Sequence, residues 1–339
     1  MKLEIPEKLK EDVPHSMWGR ILMATPVVLT VIATMLAGLS SSEMTRAQYD
    51  RSLAAQLQSK AGDQWNFFQA KRLRSSMQGA SADTLFSEPG SIGFEPALME
   101  KTIAPLASAP DSLAAEMAGL KAELIAWWQL PAARQAAQWL QGKELPSPGR
   151  TPTADPLVAA AVSAVEAMKP ESEIIPLVAG ISDRSLEEAL RQAKDQVHSF
   201  DAVIKPLQQA IDQGNSLLMR LKGRLTAAAT PSAPAPIDLL FRSFTLARMR
   251  CNAQRYEIEA RLNQAVAYVY ELQVRRWNLS ADRHHTRSQR FFLGMLAAQL
   301  GVIVSTFAIA ARQKNFLWGL AATAGLIAVL FTVYVYLFI

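Results

Sequence analysis

Few side chains in this chain have the types and spacing that catalysis or metal binding requires. His284 and His285 are adjacent, so on a helix their rings would point about 100° apart and could not easily share one metal ion. The other two histidines, His15 and His198, stand alone in the sequence. We therefore predict no metal site, and we expect His284 and His285 to contact solvent or lipid headgroups.

The remaining candidates for chemistry are equally weak. Cys251, the single cysteine, lies on an apolar line of a predicted helix, which favours a buried, inert thiol over a nucleophile. The pair Gly142–Lys143 lacks the upstream glycine and the following serine or threonine of a phosphate-binding loop. Three carboxylates on one predicted helix have no partner motif and fit a solvated face: Glu187, Glu188 and Asp195. The sequence therefore predicts no enzyme activity and no cofactor.

Basic residues are enriched in one long segment of the chain. The net charge is +5, and residues 237–290 hold ten arginines against five acidic residues. Aromatic interleaving and a recognition motif are absent, so we do not expect nucleic-acid binding. Contact with lipid phosphates is favoured instead. The candidate headgroup-binding residues are Arg283, Arg287, Arg290, Arg312 and Lys314.

Three stretches carry no charged residue and are long enough to cross a bilayer core, which takes about 20 residues. They are 21–42, 291–311 and 315–339, with a polar tail at 1–20 and a basic turn at 312–314. Trp18 and Arg20 flank the first stretch as interfacial anchors. The sequence therefore predicts a multi-pass membrane protein that keeps residues 43–290 on one side of the membrane.

Small and polar residues within the spans indicate how these helices could pack. Thr30, Thr34 and Gly38 recur every four residues, and pairs of small residues recur at the same spacing in the other two spans. Gln299 lies near the middle of the second span, where an interhelical hydrogen bond explains it better than a pore lining. The candidate packing residues of the spans are Thr34, Gly38, Gly294, Gln299, Gly301 and Gly325.

Two long segments, 43–78 and 237–290, are predicted to form helices that continue into membrane spans. Apolar or small residues recur every seven positions in the second segment: Ile237, Phe244, Cys251, Ile258, Ala265, Leu272 and Leu279. The first segment has a stripe at helical spacing: Tyr49, Leu53, Leu57, Ala61, Trp65 and Phe68. We predict that the two helices pair as an antiparallel stalk of the coiled-coil type, although an oligomer mate could also supply the partner helix.

Residues 79–236 form a separate region that holds fifteen of the eighteen prolines. The predicted helices of this insert are 111–129, 131–141, 156–168, 185–200 and 202–229, with irregular loops at 81–110 and 144–153. Ser185 and Glu188 are predicted to form a capping box, and Pro206 to start or kink the last helix. We expect the first two helices to be anchored by Trp127, Trp128 and Trp139.

No alternating strand pattern occurs anywhere in the chain. The predicted fold is therefore all-α, with three transmembrane helices, a long antiparallel helical stalk and a proline-punctuated helical insert.

Aromatic residues are dense in residues 63–71, which read Asp-Gln-Trp-Asn-Phe-Phe-Gln-Ala-Lys. We favour packing of Trp65, Phe67 and Phe68 where a third element joins the stalk, with a π-stacking ligand site as the alternative.

The first span followed by this motif, the basic helix and the closing hairpin resembles an uncharacterised bacterial membrane family, domain of unknown function four-three-three-seven. The resemblance covers about residues 17–78 and 250–339. It implies a bacterial inner-membrane protein of this topology and supplies no activity. Members of the family are usually shorter in the region of the insert.

These features favour a non-enzymatic, membrane-anchored helical scaffold or an accessory subunit of a larger membrane complex. The alternative is a component of a small oligomeric channel or transporter, in which Gln299, Ser305 and Thr306 would face one another around a polar path. Expected partners are membrane lipids, other membrane proteins and further copies of the chain. A small excess of basic residues favours a cytoplasmic position for residues 43–290, with the opposite orientation left open.

Overall fold

The computed structural model describes residues 17–90, 92–103, 111–145, 155–228, 236–311 and 314–338 of the 339-residue chain. Every regular element within these ranges is an α-helix, which confirms the predicted fold class. In chain order the helices are α1 (Met17–Phe86), α2 (Pro96–Ile103), α3 (Asp111–Gln129), α4 (Pro131–Leu140), α5 (Pro156–Glu166), α6 (Glu171–Gly180), α7 (Asp183–Ala228), α8 (Pro236–Ala310) and α9 (Lys314–Phe338).

The chain divides into two compact units, and the two longest helices contribute to both. Unit 1 comprises Met1–Leu57 and Val274–Ile339, and unit 2 comprises Gln58–Gln273. The division falls inside α1 and α8 rather than at the edges of the proline-rich insert. The reason is that the core of unit 2 combines insert residues such as Trp127 and Leu218 with Phe244 and Cys251 of α8.

Within the described ranges, α1, α8 and α9 are the three helices long and apolar enough to cross a membrane. Pro26 lies inside α1 without ending it. The core of unit 1 is made where these apolar segments meet: Ala33, Leu36, Phe291, Ala298, Ala328 and Val335.

Two tryptophans join the first and third spans within unit 1. The ring centroids of Trp18 and Trp318 are 4.8 Å apart. Trp18 Nε1 donates to Asn315 Oδ1 at 3.0 Å, and Trp318 Nε1 donates to Thr25 Oγ1 at 2.9 Å. Both indole N–H groups are therefore satisfied by the neighbouring span, which an apolar environment requires.

A line of small side chains runs along α1 at intervals of seven residues. Its buried alanines are Ala33, Ala47, Ala54, Ala61 and Ala82. Ser40 and Ser75 lie on the same line and donate to α8 carbonyl oxygens, Ser40 to Ser288 at 3.0 Å in unit 1 and Ser75 to Ala253 at 2.8 Å in unit 2. Small side chains let two helix axes come close, so these hydroxyls reach the backbone of α8.

This alanine line corrects the stripe predicted for the first stalk segment. Ala61 is buried as predicted, but Tyr49 is 67% exposed and points away from the packed face. The pairing of α1 with α8 is antiparallel as predicted. In unit 2, contacts run from Trp65–Glu271 to Ser75–Ala253, so residue numbers rise in one helix while they fall in the other.

The seven-residue line predicted on α8 faces the protein interior. Ile237, Phe244, Cys251 and Leu272 are buried, and the other three members are partly buried. The first three belong to the core of unit 2, where the Phe244 ring lies edge-on to Phe94 at 5.6 Å. The packing partner of this part of the line is therefore the insert of the same chain.

Several predicted insert elements differ from the structure. α1 continues eight residues beyond Gln78, and α2 forms within the region predicted to be a loop. α6 was not predicted, and the two helices predicted at 185–200 and 202–229 are one helix, α7, with Pro206 in its interior.

The cap of α7 also lies three residues earlier than predicted. Ser182 Oγ accepts the backbone N–H of Ser185 at 3.1 Å, whereas Glu188 bonds to Arg191 and Gln192 instead of closing a box with Ser185. A side-chain oxygen at this position satisfies an N–H group that the first helical turn leaves unpaired.

Trp127 anchors α3 on α7, whereas the sequence predicted that it would anchor the pair 111–129 and 131–141. Its side chain is 2% exposed, and its Nε1 donates to the carbonyl oxygen of Ala210 at 2.8 Å. The ring lies directly over Gly214, where an added Cβ would be only 2.3 Å from Trp127 Cζ2. Glycine at 214 is therefore required by the close approach of the indole, and not by a turn.

We predict that Gly214→Ala destabilises unit 2. Overpacking of this kind costs about 1–3 kcal/mol, and the better helix propensity of alanine offsets only about 1 kcal/mol. Gly223→Ala in the same helix is the matched control, since nothing lies within 4 Å of its added Cβ. Thermal unfolding followed by circular dichroism at 222 nm should show a lower midpoint for the first variant and an equal or higher one for the control. Equal midpoints would mean that the indole moves away without cost.

Candidate functional site

The described part of the chain contains no group of three or more His, Cys, Asp or Glu side chains that could hold a metal ion. Cys251 is buried, as predicted. Burial raises the pKa of its thiol to about 11, and the nearby charge of Arg255 acts in the opposite direction. A thiol that stays protonated at neutral pH is a poor nucleophile.

His284 lies between two carboxylates of α1 in unit 1. Its Nδ1 is 2.5 Å from Glu43 Oε2, and its Nε2 is 4.0 Å from Asp50 Oδ2. The side chains of Glu43 and Asp50 are 13% and 9% exposed, so water is largely excluded from this contact. The prediction of solvent or headgroup contact is wrong for His284, because its ring crosses to α1. We call Glu43, Asp50 and His284 the unit-1 link.

The sequence carries a signal for this link, in the spacing of the two carboxylates. Glu43 and Asp50 follow Leu29 and Leu36 at intervals of seven residues, on the face of α1 that is buried in the spans. Carboxylates on a line that is otherwise buried need a partner on the neighbouring helix.

The adjacent His285 points in another direction from His284. Its Nε2 lies 2.9 Å from Gln289 Nε2, and it lines a hollow of 490 Å³ on unit 1 with Met44 and Phe292 among its walls. Contact with lipid headgroups therefore stays a prediction for His285.

The motif at residues 63–71 forms a second link between α1 and α8, in unit 2. Trp65 Nε1 donates to Glu271 Oε1 at 2.7 Å. The Trp65 ring lies edge-on to Tyr268 at 5.2 Å and to Phe68 at 5.4 Å. Edge-to-face aromatic pairs contribute about 0.5–1.5 kcal/mol beyond their buried area. Trp65 and Phe68 therefore act in helix packing, as predicted.

Other elements of unit 2 approach α8 beside this aromatic group. Burial raises the pKa of Tyr268, with smaller contributions from the carboxylates of Glu166 in α5 and Glu271, while a hydrogen bond from Gln264 lowers it. Lys194 of α7 places its ammonium 5.3 Å from the ring centroid of Tyr270. The aromatic motif thus lies where insert helices join the stalk.

The last residue of the motif closes an ionic network. Lys71 forms a close ion pair with Glu259, whose side chain is 11% exposed. Arg255 lies 3.6 Å from the same carboxylate and donates to the amide oxygen of Gln208 in α7. We call Trp65, Phe68 and Lys71, with Glu259, Tyr268 and Glu271, the unit-2 link.

Part of the chain matches a known protein family. Residues 21–124 match the model of a domain of unknown function (DUF4337). The match contains the first span and the 63–71 motif, so the predicted resemblance to this domain is confirmed over residues 21–124; the match does not extend to 250–339. No curated protein and no solved structure matches the chain.

Three large apolar side chains of α1, within residues 21–124, are exposed to solvent. Phe67, Leu73 and Met77 are 53%, 62% and 60% exposed. Phe67 does not pack with Trp65 and Phe68, because one position along a helix turns the side chain by about 100°. We call Phe67, Leu73 and Met77 the outer row.

The predicted glycine contacts of the second and third spans are present within unit 1. A Cβ added to Gly294 would lie 3.5 Å from Leu36 Cδ1, and one added to Gly301 would lie 3.1 Å from Leu29 Cδ1. A Cβ added to Gly325 would be 2.5 Å from Leu29 Cδ2. Because these positions are glycine, Leu29 and Leu36 of α1 can pack between the other two spans.

The remaining packing candidates of the spans face outward. Thr34 is exposed and donates to the carbonyl oxygen of Thr30 at 2.9 Å, and nothing lies within 4 Å of a Cβ added to Gly38. Gln299 is exposed, and its amide has no hydrogen bond to another described residue. The prediction that Gln299 bonds between helices is therefore wrong within one chain.

The predicted headgroup-binding arginines of α8 share one side of the helix, at spacings of four and three. Arg283 is exposed, and Arg287 and Arg290 are partly exposed. Arg312 lies outside the described residues, as does the side chain of Lys314. Lipid contact by these five residues stays a prediction.

We predict that Trp65→Phe weakens the unit-2 link. The change removes the N–H that Glu271 accepts, and hydrogen bonds to charged groups contribute about 1.5–3 kcal/mol. Phe67→Leu is the matched control, because exposed substitutions usually change stability by less than about 0.5 kcal/mol. Circular dichroism at 222 nm should show a midpoint several degrees lower for Trp65→Phe alone. A midpoint equal to that of the control would contradict the assigned role of the hydrogen bond.

Proposed function

We propose that the protein is a membrane-anchored helical scaffold or an accessory subunit of a larger membrane complex, which acts through protein–protein contacts. The observation that carries the proposal is the outer row. Phe67, Leu73 and Met77 leave three large apolar side chains exposed on a helix that also packs against α8; Leu73 and Met77 lie about 40° apart around α1, and Phe67 lies about 80° from Met77. Neighbouring exposed apolar side chains are typical of sites that bind another protein.

The helix that carries the outer row is held firmly on its other side. Ser75 bonds to the α8 backbone at 2.8 Å, and Lys71 pairs with Glu259. A docking surface on a helix fixed in this way loses little conformational freedom when a partner binds.

A channel or transporter is the weaker candidate. It would need Gln299, Ser305 and Thr306 to line one path. In unit 1 Ser305 is buried and donates to the carbonyl oxygen of Val302 at 2.8 Å, whereas Gln299 and Thr306 are exposed. Within one chain, therefore, these polar groups do not face one another.

The proposed location is the bacterial inner membrane, with residues 43–290 in the cytoplasm. Seven basic residues near the spans would then be cytoplasmic and five would lie across the membrane. The seven are Arg46, Arg51, Arg275, Arg276, Arg283, Arg287 and Arg290; the five are Lys8, Lys10, Arg20, Arg312 and Lys314. Arginines beside the membrane would also bind anionic lipid headgroups.

Photo-crosslinking in cells tests the docking surface. A photoreactive amino acid at Leu73 or Met77 should capture a protein partner, because these side chains are exposed and lie about 40° apart around α1. Asp83, also exposed on α1 but about 80° from Leu73 and about 120° from Met77 around the helix, is the control position. Mass spectrometry would identify what is captured. Equal capture at all three positions, or none at Leu73 and Met77, would count against the scaffold proposal.

Cysteine labelling of intact cells tests the orientation. Met168 is 90% exposed, so Met168→Cys in a Cys251→Ala background supplies one accessible thiol. A membrane-impermeant maleimide should label it only after lysis. The chain with its natural Cys251 is the control, and should react only when unfolded, because burial keeps that thiol protonated. Strong labelling of Met168→Cys before lysis would place the domain outside the cytoplasm.

A further inference from the structure

The second span carries one polar side chain for which unit 1 provides no partner. Gln299 is the ninth of the 21 residues from Phe291 to Ala311, so its amide lies near the middle of the bilayer core. The side chain is exposed, and its exposed neighbours Leu296 and Ile303 are apolar. An amide left without hydrogen bonds in hydrocarbon is strongly unfavourable.

The exposed threonines of the described spans are satisfied by their own helices. Thr30 and Thr34 donate to carbonyl oxygens one turn earlier, at 2.8 Å and 2.9 Å, and Thr306 donates to Val302 O at 2.8 Å. A glutamine cannot be satisfied in the same way. Its carbonyl oxygen needs an N–H or O–H donor, and the backbone N–H groups inside a helix are already bonded.

Gln299 belongs to a line of exposed residues whose spacing is typical of the contact between two paired helices. We call this line the seam. Residues Phe292, Leu296, Gln299, Ile303 and Thr306 follow one another at steps of four, three, four and three, and all five are exposed. This is the pattern of the a and d positions in a coiled coil. The opposite face of α8, about 140–160° away, is the one where Gly294 and Gly301 pack against α1.

We propose that this seam pairs with the same seam of a second copy of the chain, and that the two Gln299 carboxamides exchange hydrogen bonds. Copies inserted in one membrane with one topology present their α8 spans parallel. In a parallel pair each a residue and each d residue meets its own counterpart, and the spacing places Gln299 at a d position. An amide carries both a donor and an acceptor, so two copies of Gln299 related by a two-fold axis satisfy each other.

The proposal assigns Gln299 a role in specificity as well as in stability. A polar pair in a mostly apolar seam fixes the register of the two helices, since slipping the helices would leave both amides unpaired. The dimer does not require the partner protein inferred from the outer row. Crosslinking at Leu73 or Met77 and self-association through Gln299 therefore succeed or fail independently.

Cysteine crosslinking of the full chain in membranes tests the seam. In a Cys251→Ala background, Leu296→Cys places a thiol on the seam, and Leu293→Cys places one on an exposed position outside it. Mild oxidation should give a dimer with the first variant and not with the second. Equal crosslinking, no crosslinking at 296, or crosslinking there to a different protein would overturn the proposal.

Dimer affinity in liposomes tests the amide itself. Energy transfer between labelled copies should show that Gln299→Leu raises the dimer dissociation constant about 3- to 30-fold. Gln299→Asn keeps an amide and should retain part of the affinity. Leu293→Ala is the control and should leave the constant unchanged. All three variants should keep the helical circular dichroism spectrum, because the altered side chains are exposed. An unchanged dissociation constant for Gln299→Leu would overturn the proposal.

Discussion

The close approach of α1 and α8 is the constraint on which the packing of both compact units depends. Along α1 the positions that face α8 are largely alanine and serine, and their small size lets serine hydroxyls reach the opposite backbone. A line of similar alanines does not by itself distinguish one register from the next. The polar links supply that distinction, because a shift by one turn would separate His284 from Glu43 or Trp65 from Glu271.

The sequence predicts the fold class and the three spans because these depend on long uncharged runs, which are local properties. It also predicts the interior line of α8, where Ile237 and Phe244 differ sharply from their polar neighbours. The same reasoning does not predict the alanine line of α1, because alanine differs little in hydrophobicity from the neighbouring residues. The large ring of Tyr49 also suggests a buried face that the structure shows to be exposed. Pro206 accounts for a different error, the prediction of two helices in place of α7. A proline usually indicates the end of a helix, but packing of α7 against α3 and α4 keeps this helix continuous.

The sequence shows which residue types are present at the site, but not the direction in which each side chain points. Trp65, Phe67 and Phe68 are equally aromatic, yet only the first and third face α8, because the orientation of each depends on a partner helix about 200 positions away in sequence. Gln299 shows the same limit in a membrane span. An apolar stretch has no polar face from which the buried side can be recognised, so only the structure shows that its amide points outward.

The contact between Trp127 and Gly214 also has an evolutionary consequence. Because the indole occupies the space that any larger residue at 214 would need, neither position can change alone without loss of fit. Natural relatives that share this helix pair should therefore show joint variation, with a bulkier residue at 214 accompanied by a smaller ring or an aliphatic side chain at 127. Such covariation would identify which insert-containing relatives retain the α3–α7 contact from their sequences alone.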